Sequence, residues 1–262
     1  MFDLILMLSQ AELVDNFTIV LVFITIVVLG GLLLVGQILK RQPETNFDPA
    51  IIRTFNKRVM ASLTMCVVLV VALLASKTLT VILFGLVSFW ALREFITMTP
   101  TRRGDHRTLF WVFFLFTPAQ YVFVALIPDD YRELVRMNAF TLFTLVIPVY
   151  GMLFIPARIA FTSDHKRFLE RSAKIQFGLL ICVYALSHAP ALLYLNLKSH
   201  NEELSTNLVD GSLPDWTGSP AGLLFFLLVI VQVSDMLQFV WDRVAGQRVI
   251  APTVHPTKTG KV

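Results

Sequence analysis

Four polar residues near the end of the chain have the spacing of a chemical site. Gln232, Asp235, Gln238 and Asp242 follow one another at intervals of three and four, so on a helix they share one face and carry two carboxylates along it. A hard divalent cation suits such a stripe, because Mg²⁺ takes one or two protein carboxylates and completes its shell with substrate phosphates and water. A helix end passing into water accounts for Asp242 equally well. Asp235 lies deeper in an apolar run, where an ionisable group is costly, so for it a solvated end and a metal ligand stand as open alternatives.

Other reactive side chains are fewer and read more simply. His188, close to Pro190 in an apolar stretch, reads as a packed or interface-facing histidine beside a kink. Glu94 next to Arg93 reads as an interfacial ion pair. His106 and His165 sit in basic segments without a ligand set, and Cys66 and Cys182 read as small packing residues with neither metal nor disulfide spacing. The pattern Gly-x4-Gly-Lys-Ser/Thr is missing from the sequence, which removes a P-loop ATPase from consideration.

The elements that must carry these residues are membrane spans. Of 262 residues 56% are hydrophobic and 15% charged, and the mean hydropathy is +0.71, a composition that cannot cover a water-soluble surface with polar groups. Apolar segments at about 17–39, 59–76, 78–95, 108–128, 137–157, 175–197 and 216–240 predict an all-α polytopic integral membrane protein with seven transmembrane helices. The second and third are separated by a turn at Ser76-Lys77-Thr78, since one helix across both would be far too long for a single crossing. The whole of 1–262 reads as one membrane domain, with 241–262 as a tail carrying sequence motifs.

Charge supports the alternation. With the N-terminus outside and the C-terminus cytoplasmic, 18 of the 22 basic residues fall on the cytoplasmic side, and ten of the 18 acids fall outside. The net charge of +4 then divides into +10 inside and −6 outside, a product of topology. Because the basic residues are shared among short loops at span ends, nucleic acid is not an expected partner.

Ser234-Asp235, the Gln238-Phe239 pair after it, Arg243, Gly246 and the tail element Pro256-x-Lys258-Thr259 resemble the phosphatidate cytidylyltransferase (CDP-diacylglycerol synthase) family. Members have an Asp near the end of a late span, a Gly/Lys-rich turn and then Ser-Pro-x-Lys-Thr. Here His255 takes the place of that Ser, and Asp242 stands where Gly is common. The resemblance implies transfer of a cytidylyl group from CTP to phosphatidate, releasing pyrophosphate and forming CDP-diacylglycerol for phospholipid synthesis. It implies Asp235 as catalytic metal ligand for Mg²⁺, Lys258 as a catalytic phosphate-binding charge, and Arg243, Arg248 and Thr259 as further substrate contacts. CTP, phosphatidate and membrane lipid are the implied partners, with a homodimer left open. The implied location is the bacterial inner membrane, with the active-site face cytoplasmic.

The family pattern continues with Glu-Gly, a glycine-rich helix and a His-Gly-Gly…Asp-Arg segment that supplies another acidic ligand. After Thr259 this sequence reads only Gly260-Lys261-Val262, so the resemblance implies a chain truncated at its C-terminus. A catalytically inactive or degenerate family member, or a small membrane transporter, is the alternative expectation.

Overall fold

The computed structural model describes residues 16–41, 49–99, 103–126, 133–161, 166–195, 219–244, 248–251 and 255–260; at several helix ends and in both strands it describes the backbone alone. Among the described residues seven helices are long and apolar enough to cross a membrane. They are α1 (Asn16–Arg41), α2 (Pro49–Ala75), α3 (Lys77–Met98), α4 (starting at His106 and ending at Ala125), α5 (starting at Glu133 and ending at Ala160), α6 (starting at Phe168 and ending in the 3₁₀ turn Leu192–Tyr194) and α7 (Pro220–Val244). A two-stranded antiparallel ladder follows, β1 (Arg248–Ala251) with β2 (His255–Gly260). The expected all-helical membrane protein is therefore present, with a small hairpin added in the tail.

The break between the second and third spans occupies a single residue. Ser76 is fully extended, and its hydroxyl accepts the Leu79 N–H at 3.0 Å, which caps the first turn of α3. The second helix also starts at Pro49, well before the apolar run at 59, so its first turns carry Arg53, Lys57 and Arg58. Proline at the first helical position fits because that turn lacks an intrahelical acceptor for its N–H.

Chain contacts divide the described residues into two compact units, one over 69–224 and one formed by Asn16–Val68 with Phe225–Val262. The first has an apolar core that includes Leu92, Val112, Phe143, Ile147, Ile155, Ile175 and Leu179. Three of its helices are interrupted by π-helical turns: Val112–Phe116 in α4, Val146–Gly151 in α5 and Leu180–Ala185 in α6. Pro148 lies within its turn, Pro118 two residues beyond and Pro190 five residues beyond theirs, so these spans absorb prolines and extra-residue bulges without breaking.

A bulge or proline frees carbonyls that lipid cannot satisfy, and neighbouring side chains take them up. Pro156 has no N–H for Met152 O four residues back; Gln176 Nε2 of α6 donates to that oxygen at 2.8 Å. Pro148 leaves Phe143 O without the i+5 donor of a π turn, and Gln120 Nε2 of α4 donates to it at 3.0 Å. Thr117 Oγ1 donates to Val112 O at 2.9 Å, and Gln120 also donates to Ser187 Oγ at 3.1 Å. Ser88 and Tyr121 share a further buried hydrogen bond between α3 and α4.

At one end of this unit Arg171 and Asp105 form a buried ion pair, with 5% and 1% side-chain exposure. Arg171 Nε donates to both carboxylate oxygens at 2.9 and 3.1 Å, Nη2 donates to one of them, and Nη1 reaches Lys166 O at 3.4 Å. Arg167, at φ 53°, occupies the left-handed region between Lys166 and the first turn of α6. Such a pair is costly to break, because a lone charge would remain buried.

Candidate functional site

The last span, α7, begins at Pro220, where Ser219 Oγ accepts the Gly222 N–H at 3.0 Å. At 1.5 Å per residue Asp235 lies about 22 Å along the axis. A carboxylate at that depth in a membrane-crossing helix needs a partner. The structure supplies one from α2: Arg58 Nη1 donates to Asp235 Oδ1 at 2.8 Å.

Two further contacts fix the register of these antiparallel segments. Gln232 Nε2 lies 3.7 Å from Met65 Sδ, and the rings of Phe55 and Phe239 are 6.0 Å apart. Thus α2 advances from 55 through 58 to 65 while α7 recedes from 239 through 235 to 232. Phe239 is one turn beyond Asp235, and the Arg58 guanidinium carbon lies 5.2 Å from the centre of its ring. A flat, weakly hydrated guanidinium suits both neighbours, an anion on one side and an aromatic face on the other.

Exposure separates this ion pair from the buried one. The side chains of Arg58 and Asp235 are 43% and 47% exposed, so their attraction contributes at most about 1 kcal/mol to stability where water reaches them. Among the described residues Arg58 makes one hydrogen bond, to one carboxylate oxygen. Among the described residues the contact is to Oδ1 alone.

The stripe expected from sequence is partly realised. Gln232 and Asp235 face residues of α2, whereas Gln238 is exposed. Arg243 lies in the final turn of α7, Arg248 opens β1, and Lys258 and Thr259 lie in β2. The ladder pairs Arg248 with Gly260 and Val249 with Thr259, which brings the Arg248 strand beside the Lys258-Thr259 strand. The side chains of Asp242, Arg243, Arg248, Lys258 and Thr259 lie outside the described residues.

The simpler sequence readings can also be placed. His188 is exposed; its Nδ1 is 2.8 Å from Tyr184 O, and its ring lies 4.9 Å from Phe143 and 4.7 Å from Tyr184. Arg93 lies over the Trp90 ring, 5.5 Å from its centre, in place of the expected pair with Glu94. An indole face attracts a guanidinium without requiring the adjacent carboxylate to turn back toward it.

Whether Mg²⁺ suits Asp235 can be tested on the donor set. Among the described residues there is no group of three or more His, Cys, Asp or Glu side chains arranged to hold a metal. Asp235 offers one accessible carboxylate flanked by the amide of Gln232, which fits a cation whose remaining ligands come from substrate phosphates and water, and does not fit a protein-enclosed site.

Arg58 is the member of this site that sequence reasoning missed. It belongs to a basic cluster with Arg53 and Lys57 that, in the sequence, reads only as part of the charge bias of the cytoplasmic side. Its spacing within that cluster carries no pointer to Asp235, 177 positions away.

Residues 56–261, a stretch containing both Arg58 and the tail hairpin, match the Cytidylyltransferase family. The chain is also similar to the uncharacterized protein YnbB of Escherichia coli (strain K12), with 31% identity over 183 residues, covering 70% of this chain and 50% of that protein. The chain therefore spans about half the length of this curated relative. No solved structure matches it. A family match over most of the chain, embracing the paired α2 and α7 residues as well as the tail, makes this membrane protein a member of the Cytidylyltransferase family.

Proposed function

We propose that the chain transfers a cytidylyl group from CTP to phosphatidate at the cytoplasmic face of a bacterial cell membrane, giving CDP-diacylglycerol and pyrophosphate. The observation that carries this reading is the half-exposed Asp235 near the polar end of a family-matched span, held by a single monodentate ion pair. Two polyanions must meet, and their mutual repulsion is the main barrier. The lipid phosphate oxygen attacks the α-phosphorus of CTP, a new P–O bond forms, and the bond to the bridging oxygen breaks as pyrophosphate leaves. The attacking group is already an anion, so no serine, cysteine or histidine nucleophile is required.

When bound, Mg²⁺ would neutralise phosphate charge beside Asp235. The protein's own residues have separate tasks. Asp235 holds the cationic centre in place, Lys258 contributes a positive charge to phosphate and Thr259 a hydroxyl donor, while Arg243 and Arg248 extend the anion-binding surface. The apolar spans bring the lipid phosphate to this height in the membrane. With the N-terminus outside, the C-terminal tail meets cytoplasmic CTP; a reporter fused after Val262 that works only outside the cytoplasm should stay silent.

Membranes containing the chain should convert labelled CTP and phosphatidate to CDP-diacylglycerol, and Asp235→Asn should abolish the conversion. Conversion that is absent from wild type, or unchanged in Asp235→Asn, would count against the transferase site.

A further inference from the structure

We propose that Arg58 binds a substrate phosphate, and that Asp235 holds it in reserve until a cation takes its place. The inference rests on Asp235 being the cation ligand of the proposed transferase.

The two arginine–aspartate pairs in the described residues differ in how much of the guanidinium they use. Arg171 engages all three guanidinium nitrogens: Nε and Nη2 donate to Asp105, Nη1 donates to Lys166 O, and the group is almost wholly buried. Arg58 is 43% exposed and gives one N–H to one oxygen of Asp235. Four of its five donors are therefore uncommitted among the described residues, and a guanidinium fork matches two oxygens of a phosphate.

Position adds a second constraint. A divalent cation held by Asp235 would compete with the Arg58 guanidinium for the same carboxylate, whose Oδ1 that guanidinium now meets at 2.8 Å. The competition would loosen Arg58 from the carboxylate. Phe239, whose ring centre is 5.2 Å from the guanidinium carbon, gives the displaced group a surface on which to remain at this end of α7. Released from its internal counter-ion, Arg58 would present an exposed phosphate fork beside Asp235. The ligand chemistry is a phosphate oxyanion, which either the nucleotide or the lipid phosphomonoester can present.

The test uses the purified full chain in phosphatidylcholine nanodiscs. Mn²⁺ binding is followed by electron paramagnetic resonance, CTP binding by calorimetry, and the dependence of rate on phosphatidate mole fraction by assay. Arg58→Gln should bind Mn²⁺ alone up to about fivefold more tightly, the range expected on removing an exposed ion-pair competitor. It should also weaken either CTP binding or the phosphatidate KM by about tenfold or more, and the arm that moves identifies the phosphate. Arg58→Lys keeps the charge and loses the fork, so its Mn²⁺ affinity should stay near wild type while the same substrate arm weakens. Unchanged or weaker Mn²⁺ binding in Arg58→Gln overturns the proposal, as does an unchanged response in both substrate arms. Retention of full Mn²⁺ binding by Asp235→Asn would instead bring down the reading of Asp235 as the cation ligand, and this proposal with it.

Discussion

Polar side chains in the 69–224 unit serve the backbone, whereas the charged pair in the other unit does little for the fold. Gln120, Gln176 and Thr117 each donate to a main-chain carbonyl beside a π turn or proline, and Arg171 engages a carboxylate and a carbonyl together. Arg58 and Asp235 touch each other through one hydrogen bond and remain nearly half exposed. In a membrane an unsatisfied polar group costs several kcal/mol, and these side chains spend their donors on the fold, although Gln120 Oε1 stays buried without a hydrogen-bond partner among the described residues. A charged pair left unsaturated is the better candidate for chemistry.

Breaking the buried pair should have the largest effect. Arg171→Met leaves Asp105 charged and buried, and should lower stability in thermal unfolding by about 3–5 kcal/mol; adding Asp105→Leu should recover much of that loss. If the single variant unfolds like wild type, the distinction between saturated and unsaturated pairs disappears.

Asp235→Asn should show the opposite profile. Turnover should fall by about a hundredfold or more, as when a group stabilising transition-state charge is removed, while stability changes by less than about 1 kcal/mol. Loss of stability matching the loss of activity would make Asp235 a structural residue.

A smaller effect is expected at the proline-linked carbonyl. Gln176→Leu removes the donor to Met152 O and should cost about 1–3 kcal/mol, read from the same unfolding curves, without a separate effect on KM. Glycine substitutions sharpen the contrast further. A Cβ at Gly178 would come within 2.6 Å of the Phe95 ring, so Gly178→Ala should cost about 1–3 kcal/mol through overpacking. At Gly36 the obstacle is Asn56 Oδ1, the far end of a movable side chain, and Gly36→Ala should cost less than about 1 kcal/mol despite a contact of 1.9 Å.

Much of the architecture was legible in the sequence because a bilayer imposes length and hydropathy directly. Seven apolar runs became seven helices, and the break at Ser76 fell where Lys77 interrupts them. Asp235 was legible through its spacing from Gln232 and its depth in an apolar segment. The roles of Gln120 and Gln176 were not, since their acceptors are determined by which carbonyls the prolines free on neighbouring helices. The position of a proline such as Pro148 or Pro156 does not show whether the helix stops, kinks or absorbs an extra residue.

By itself the sequence determined a seven-span membrane protein, the placement of Asp235 in its last span and the resemblance carried by the tail. These are properties of consecutive residues, governed by hydrophobic length, helical period and motif spacing. Only the tertiary structure decided that Asp235 meets Arg58, that Asp105 meets Arg171, and that one pair is closed while the other remains open. Those outcomes depend on helices far apart in sequence coming into register, and on how much water or lipid the packing leaves around each charge.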